Sequence, residues 1–226
     1  MDQPARRSTT GLAARAGRGF TLIETSLALV IIGVGVLAFI EAQNSFIKNN
    51  AWSSEAATAT LLATELRELS RKIPRHDPVT GLWLEGSGGS AVLHGWGPDT
   101  GETIVDDFDD MDDFDGVRFG ADGDLPGPIN AFGQVVAAID ADGVAVLDGD
   151  DNPVSLQGWS QTVMVEKVDP FDFSTVRADK YNEAASGSFP GRTVDQYPLR
   201  VTVIVEFQGP NDVAAREVTR VVWVVP

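Results

Sequence analysis

The chain of 226 residues contains no cysteine and only two histidines, His76 and His94. Without thiols it forms no disulfide bond, iron–sulfur cluster or cysteine-ligated zinc site, and it offers no cysteine nucleophile. No serine stands in a recognisable nucleophile setting, and the glycine-rich run 86–90 lacks the lysine and helix of a phosphate loop. The sequence therefore predicts that the protein is not an enzyme.

Positive charge is also scarce. Seventeen lysines and arginines face 33 acidic residues, and the formal net charge is −16. Because nucleic-acid affinity depends largely on basic side chains that neutralise phosphates, we expect no nucleic-acid partner. The basic residues are unevenly distributed, since residues 1–19 hold four arginines against the single acid Asp2.

One long apolar run follows that basic segment. Residues 20–40 carry a single charge, Glu24, and at about 1.5 Å per helical residue they are long enough to cross a hydrocarbon core of about 30 Å. The positive-inside rule predicts a single pass with residues 1–19 in the cytoplasm and the C-terminal part outside it. A small residue, Gly19, precedes the apolar run, whereas a secretory signal peptide places its cleavage site after it.

The stretch Gly19-Phe20-Thr21-Leu22-Ile23-Glu24, placed after a short basic leader, resembles the prepilin motif of type IV pilins and of type II secretion pseudopilins. The resemblance implies cleavage by prepilin peptidase between Gly19 and Phe20, N-methylation of Phe20, and a subunit-assembly role for Glu24. It further implies an inner-membrane protein that contacts other pilins through its N-terminal helix, engages the inner-membrane assembly platform, and then enters a pilus or pseudopilus fibre. Glu24 would pair with the terminal amine of a neighbouring subunit, because a buried ammonium and a buried carboxylate are each costly alone.

Two further segments resemble minor pilins rather than abundant major subunits. Residues 27–31 with 35–37 and Gln43 are similar to V-type minor pilins, and residues 112–116 are similar to the D-like minor pilins of the mannose-sensitive haemagglutinin type. We therefore expect a minor pilin that is incorporated into a type IV pilus or initiates its assembly. Two alternatives stay open, namely a pseudopilin of a type II secretion system and a single-pass anchored adhesion or ligand-binding module.

The pattern after the apolar run predicts an α+β fold, with one long N-terminal helix on a C-terminal antiparallel sheet. Apolar residues recur at helical spacing from Trp52 to Ile73, and Pro74 ends the stripe. Alternating β-branched runs at 161–168, 199–207 and 213–225 predict the sheet, and 135–140 with 144–147 predicts a hairpin. The predicted parts are a leader (1–19), a membrane-spanning half-helix (20–40), an amphipathic half-helix (41–73), an acidic loop-rich region with short strands (74–160) and the sheet (161–226).

The acidic region is concentrated in residues 99–151, which hold sixteen acids against one base, Arg118. Phe108, Met111 and Phe114 recur every third residue, which predicts short 3₁₀ or helical turns with the apolar side chains inward and the aspartates in water. Candidate ligands for Ca²⁺ are Asp109, Asp110, Asp112, Asp113 and Asp115. The EF-hand spacing fails because Met111 falls on its first ligand position, so solvated acidic loops and a calcium site both stay open, and no other cofactor is expected.

Residues 169–197 are rich in turn formers and aromatic residues. Such a segment is typical of a long surface loop that carries partner specificity, and it is equally typical of a plain connection.

Overall fold

A computed structural model describes residues 20–86 and 88–226. The predictions made for residues 1–19, including Gly19 as the last residue of a leader, lie outside the described residues. The chain divides after Asn50 into two compact units, and the second unit comprises Ala51–Pro226.

The first element is a long helix, α1, which spans Leu22–Ser70. Thr21 Oγ1 accepts the backbone N–H of Glu24 at 3.3 Å, so the helix starts with a hydroxyl cap. Its N-terminal segment is long and apolar enough to cross a membrane, and the side chains of that segment are exposed. The helix ends at Ser70, three residues before the predicted Ile73, because the backbone turns where the N–H of Lys72 bonds to the carbonyl of Leu69.

The second unit contains a five-stranded antiparallel sheet. Its strands are β3 (Arg118–Gly120), β4 (Trp159–Asp169), β5 (Asp172–Val176), β6 (Leu199–Phe207) and β7 (Arg216–Val225). The order is β3-β4-β6-β7, with β5 paired to β4. In the centre of the sheet Val163 lies opposite Val203, which lies opposite Val221. A separate hairpin consists of β1 (Trp83–Glu85) and β2 (Val92–His94).

The core of this unit forms where the last turns of α1 pack on the sheet. Ala59, Leu62, Ala63 and Leu66 are buried together with the inward valines of β4 and β6. These helix positions repeat every three or four residues and present one apolar face. The α+β arrangement of one long helix on an antiparallel sheet is thus confirmed, although Trp52, the first residue of the predicted stripe, is exposed.

Two connecting segments differ from the sequence expectation. The predicted hairpin at 135–147 forms isolated bridges, such as Ile139 opposite Ala145, rather than continuous strands. Residues 169–197 contain some regular secondary structure, because β5 pairs with β4 and a 3₁₀ turn occupies Val194–Gln196. In both segments frequent glycine or polar turn residues limit the length of the pairing.

Candidate functional site

The N-terminal segment places Phe20 and Glu24 at the start of α1. Phe20 is exposed and lies two residues before the first helical residue, Leu22. Glu24 lies in the first turn, where a carboxylate interacts favourably with the helix dipole. It is the only charged residue from Leu22 to Ile40. A carboxylate within the hydrocarbon core of a membrane requires a cationic partner or contact with water.

The acidic segment, defined as residues 106–116, has a different structure from the one expected. Asp110, Asp112 and Asp113 are 3%, 0% and 2% exposed, so the prediction that the aspartates face water is wrong for these three residues. The predicted inward placement is confirmed for Met111 and Phe114, whereas Phe108 is only partly buried against the core. The predicted 3₁₀ turns are present at Val105–Asp107, where the segment begins, and at Asp112–Phe114.

The burial of these carboxylates follows from the backbone groups that short turns leave without partners. Asp110 Oδ1 accepts the N–H groups of Asp112 and Asp113 at 2.9 and 3.2 Å. Asp113 Oδ2 accepts those of Asp109 and Asp110 at 3.0 and 3.1 Å. Side-chain oxygens thus satisfy four backbone donors, three of them buried, and a buried donor without a partner would cost free energy in the fold.

His76 and Asp112 form a buried pair. Nδ1 of His76 lies 2.9 Å from Oδ1 of Asp112, and the two side chains are 7% and 0% exposed. The other oxygen of Asp112 accepts the N–H of Gly97 at 3.2 Å. Burial, with the nearby charge of Arg75, lowers the pKa of His76 to about 4. At neutral pH the neutral imidazole therefore donates from Nδ1 to the Asp112 carboxylate, and its buried Nε2 has no partner among the described residues.

Burial also dominates the titration of the three carboxyl groups. It raises the pKa of Asp110 to about 8, that of Asp113 to about 7 and that of Asp112 to about 6. Mutual repulsion adds to the shifts, because Asp112 is close to Asp110, and Asp110 and Glu102 are close to Asp113. Low dielectric and like charge both favour the protonated carboxyl group.

Of the five candidate calcium ligands, Asp109 and Asp113 lie together with Glu102, whereas Asp110, Asp112 and Asp115 bond to other groups of the fold. Carboxylate oxygens of Glu102, Asp109 and Asp113 lie within 4.8 Å of one another, a spacing that a divalent cation can bridge. Asp112 bonds to His76 and Gly97, and Asp115 Oδ1 accepts the N–H of Val165 at 2.8 Å. The repeat of acidic triplets does not predict a role for Glu102, which precedes the triplets in the chain.

The calcium interpretation stays a prediction. Titration of Ca²⁺ into the full chain, followed by heat release and by the melting temperature, tests it. A Ca²⁺-dependent rise in the melting temperature that is lost in Asp109→Asn would support the site. If Ca²⁺ causes neither heat release nor a change in the melting temperature, the site is eliminated.

Lys167 is a buried basic residue, and its burial was not predicted from the sequence. Its Nζ donates to the carbonyl of Asp179 and lies 5.8 and 5.7 Å from the ring centroids of Trp96 and Tyr197. Burial lowers the pKa of Lys167 to about 8. A signal for its position exists in the sequence, because the two-residue period of β4 puts Lys167 on the inward face with Val163 and Val165.

Comparison of the chain with models of known protein families, with curated proteins and with solved structures finds no match.

Proposed function

We propose that the protein is a minor pilin, which enters or initiates a type IV pilus after prepilin peptidase has cleaved before Phe20 and Phe20 has been N-methylated. One observation carries the proposal. A helix that is long and apolar enough to cross a membrane starts at Leu22, just after the proposed new N-terminus, and its apolar segment carries a single acid, Glu24, in the first turn. This combination matches the role that the resemblance gives to each residue.

The chemistry of assembly follows from the two charges at the end of that helix. Cleavage creates an ammonium group on Phe20, and Glu24 supplies a carboxylate four residues later. In hydrocarbon each charge alone is costly, whereas a pair formed between neighbouring subunits neutralises both. The apolar side chains of α1, exposed in the single chain, would pack against the helices of other pilins in the fibre.

Before assembly the protein resides in the inner membrane as a single-pass protein, with its N-terminus in the cytoplasm and the second unit outside it. Its partners are then prepilin peptidase, other pilins and the inner-membrane assembly platform. A pseudopilin of a type II secretion system would use the same N-terminal chemistry, and genes for pilus and retraction ATPases beside its gene would favour the pilus. An anchored adhesion module would retain residues 1–19.

Mass spectrometry of the N-terminus tests the proposal directly. We expect the protein from cells with prepilin peptidase to begin at an N-methylated Phe20, and the protein from cells without the peptidase to retain Met1. An intact Met1 in both preparations would overturn the assignment.

The assembly role of Glu24 is tested by Glu24→Ala. The variant should insert into the membrane normally and should be absent from sheared fibres, because the terminal ammonium loses its counter-charge. Glu41→Ala is the matched control, since Glu41 is the next acid along the same exposed helix and lies beyond the apolar segment. Equal incorporation of the Glu24→Ala and wild-type proteins would contradict the pairing.

A further inference from the structure

The last strand of the sheet, β7, forms one of its edges. Among the described residues it pairs with β6 alone, and the isolated bridges and turn hydrogen bonds lie elsewhere in the chain. An edge strand leaves a row of backbone N–H and C=O groups unpaired, and a strand of another chain can pair with them. The outer edge of β7 is therefore a candidate interaction surface.

The backbone groups that face this edge follow from the register of the sheet. The N–H of Gln208, next to the end of β6, donates to the carbonyl of Gly158 at 2.8 Å, so the even-numbered positions of β6 face β4. The odd-numbered positions then face β7, where they pair with odd-numbered residues such as Val221. Because backbone groups alternate in direction along a strand, those of the even-numbered β7 residues point to the open edge. These residues are Arg220, Val222 and Val224.

The second half of β7 lacks the features that protect an edge. Natural edge strands carry charges, prolines or bulges that prevent pairing with other chains. In β7 the charged residues end at Arg220, and the irregular register lies near the start of the strand, opposite Val205 and Glu206. Residues 221–225 are four valines and one tryptophan, and the outward side chain of Val222 is 50% exposed. This half of the edge is therefore open to a further strand.

The charges of β7 favour a second copy of the chain as the partner, rather than a strongly acidic or basic strand. Both arginines of β7 are engaged within the chain, because Arg216 pairs with Glu55 and Arg220 lies 2.8 Å from Glu217. The strand carries two arginines and one glutamate, whereas the whole chain has a net charge of −16. Two copies can therefore approach each other at β7 without the like-charge repulsion of the acidic loops.

The sequence of β7 is also complementary to itself in antiparallel register. With a twofold axis at Val222, that residue lies opposite its own copy. Arg220 then lies opposite Val224, and Val221 lies opposite Trp223, so the uncharged half of the strand forms pairs of β-branched and aromatic side chains. An axis at Arg220 would instead place two arginines opposite each other, which is unfavourable. The charge pattern thus selects the register centred on Val222.

We propose that two copies of the chain pair antiparallel through the open edges of β7, with the twofold axis at Val222, so that their sheets become continuous. The even-numbered residues exchange about six backbone hydrogen bonds, two for each hydrogen-bonded pair. All of these residues lie in the second unit, so the proposal does not depend on the role of the N-terminal helix.

Cross-linking tests the register, because the chain contains no cysteine of its own. Val222→Cys places one thiol on the axis, where the two Cα atoms of a hydrogen-bonded pair lie about 5.5 Å apart. The matched control is Met164→Cys, since Met164 is 39% exposed and points to the same face from β4. Its two copies would lie roughly 24 Å apart, five strand spacings of about 4.8 Å. With the full chain in detergent and a short bismaleimide, we expect a covalent dimer from Val222→Cys and at least tenfold less from Met164→Cys.

Charge substitution tests whether the partner is a second copy. Val222→Lys places two lysines opposite each other, so it should raise the dissociation constant of the dimer at least tenfold in sedimentation measurements, and Val222→Glu should do the same. An equimolar mixture of the two variants should recover dimers, because opposite charges then meet at the axis, and this recovery shows that both variants are folded. Met164→Lys should dimerise like the wild-type chain.

Four results would overturn the proposal. The first is a wild-type chain that sediments as a monomer, and the second is a Val222→Lys dimer as stable as that of the wild-type chain, which would locate the association on α1 or another surface. The third is a mixture of Val222→Lys and Val222→Glu that stays monomeric. The fourth is equal cross-linking of the two cysteine variants.

Discussion

Gln161 joins three parts of the second unit through one side chain. Its Oε1 accepts the N–H of Ile129 at 2.7 Å, and its Nε2 donates to the carbonyls of Leu62 and Ile129 at 2.9 and 3.1 Å. The residue is completely buried on β4. A buried amide with both ends satisfied fixes the distance between the helix, the strand and the connecting segment.

Gln161→Leu should destabilise the protein by about 2–4 kcal/mol, because it removes three hydrogen bonds and leaves the buried N–H of Ile129 without its acceptor. The free energy of unfolding, measured by denaturant titration, checks this value. Gln157→Leu serves as the control, since Gln157 is exposed and its substitution is expected to change stability by less than about 0.5 kcal/mol. Similar stability for the two variants would show that the amide is not a structural link.

Among the elements, the acidic segment gives the second unit a distinctive dependence on pH. In the unfolded chain an aspartate has a pKa near 3.8, whereas in the fold the pKa of Asp110 is raised to about 8, that of Asp113 to about 7 and that of Asp112 to about 6. Between pH 3.8 and pH 8 the folded state therefore holds more protons on these three carboxyl groups than the unfolded state does. Each extra proton lowers the free energy of unfolding by about 1.4 kcal/mol per pH unit as the pH rises through this window.

Two other buried groups act in the opposite direction. The pKa of His76 is lowered from 6.5 to about 4, so this group favours the fold increasingly as the pH rises from 4 to 6.5. His76 changes the difference in bound protons between the two states by at most one, whereas the three carboxyl groups change it by up to three in the opposite sense. The pKa of Lys167 is lowered from 10.5 to about 8, so its opposing contribution begins near pH 8.

The melting temperature should therefore fall from pH 5 to pH 8. Asp110→Asn keeps an oxygen that accepts the N–H groups of Asp112 and Asp113 but has no charge to bury. This variant should show a flatter pH profile and a higher melting temperature than the wild-type chain at pH 8. Asp106→Asn, at an exposed position of the same segment, should retain the wild-type profile. A wild-type melting temperature that rises over this range would contradict the buried-carboxyl description.

The elements differ in how far the sequence predicts them. The stripe of α1 predicts the burial of Leu62 and Leu66, because helical periodicity alone identifies an inward face. The three-residue repeat of the acidic segment predicts that Met111 lies inward. Charge by itself indicates solvent exposure, so the prediction for Asp112, which is buried, is wrong. Its burial depends on His76, which is 36 residues away in the chain, and on a backbone N–H that only the folded turn presents.

At the scale of the whole molecule, the net charge is an average over unlike parts. Residues 1–19 contain four arginines and one aspartate, so the 207 residues that would remain after cleavage carry a formal charge of −19 instead of −16. If the protein is processed and assembled as proposed, the mature subunits would repel one another through their acidic units. In a fibre this repulsion would be offset by the apolar helices, and we expect fibres to be more stable in 0.5 M than in 0.05 M NaCl, as sedimentation after shearing can measure.

The division of the chain after Asn50 leads to a prediction about which part folds alone. A chain that begins at Ala51 retains the core residues of α1, Ala59 to Leu66, and the whole sheet that they cover. We expect it to be soluble without detergent and to unfold in one cooperative transition, measured by circular dichroism. A chain that begins at Pro74 lacks those helix residues, so the inward valines of β4 and β6 become exposed and the chain should aggregate. Equal solubility and cooperativity in both chains would show that the helix is dispensable for the core.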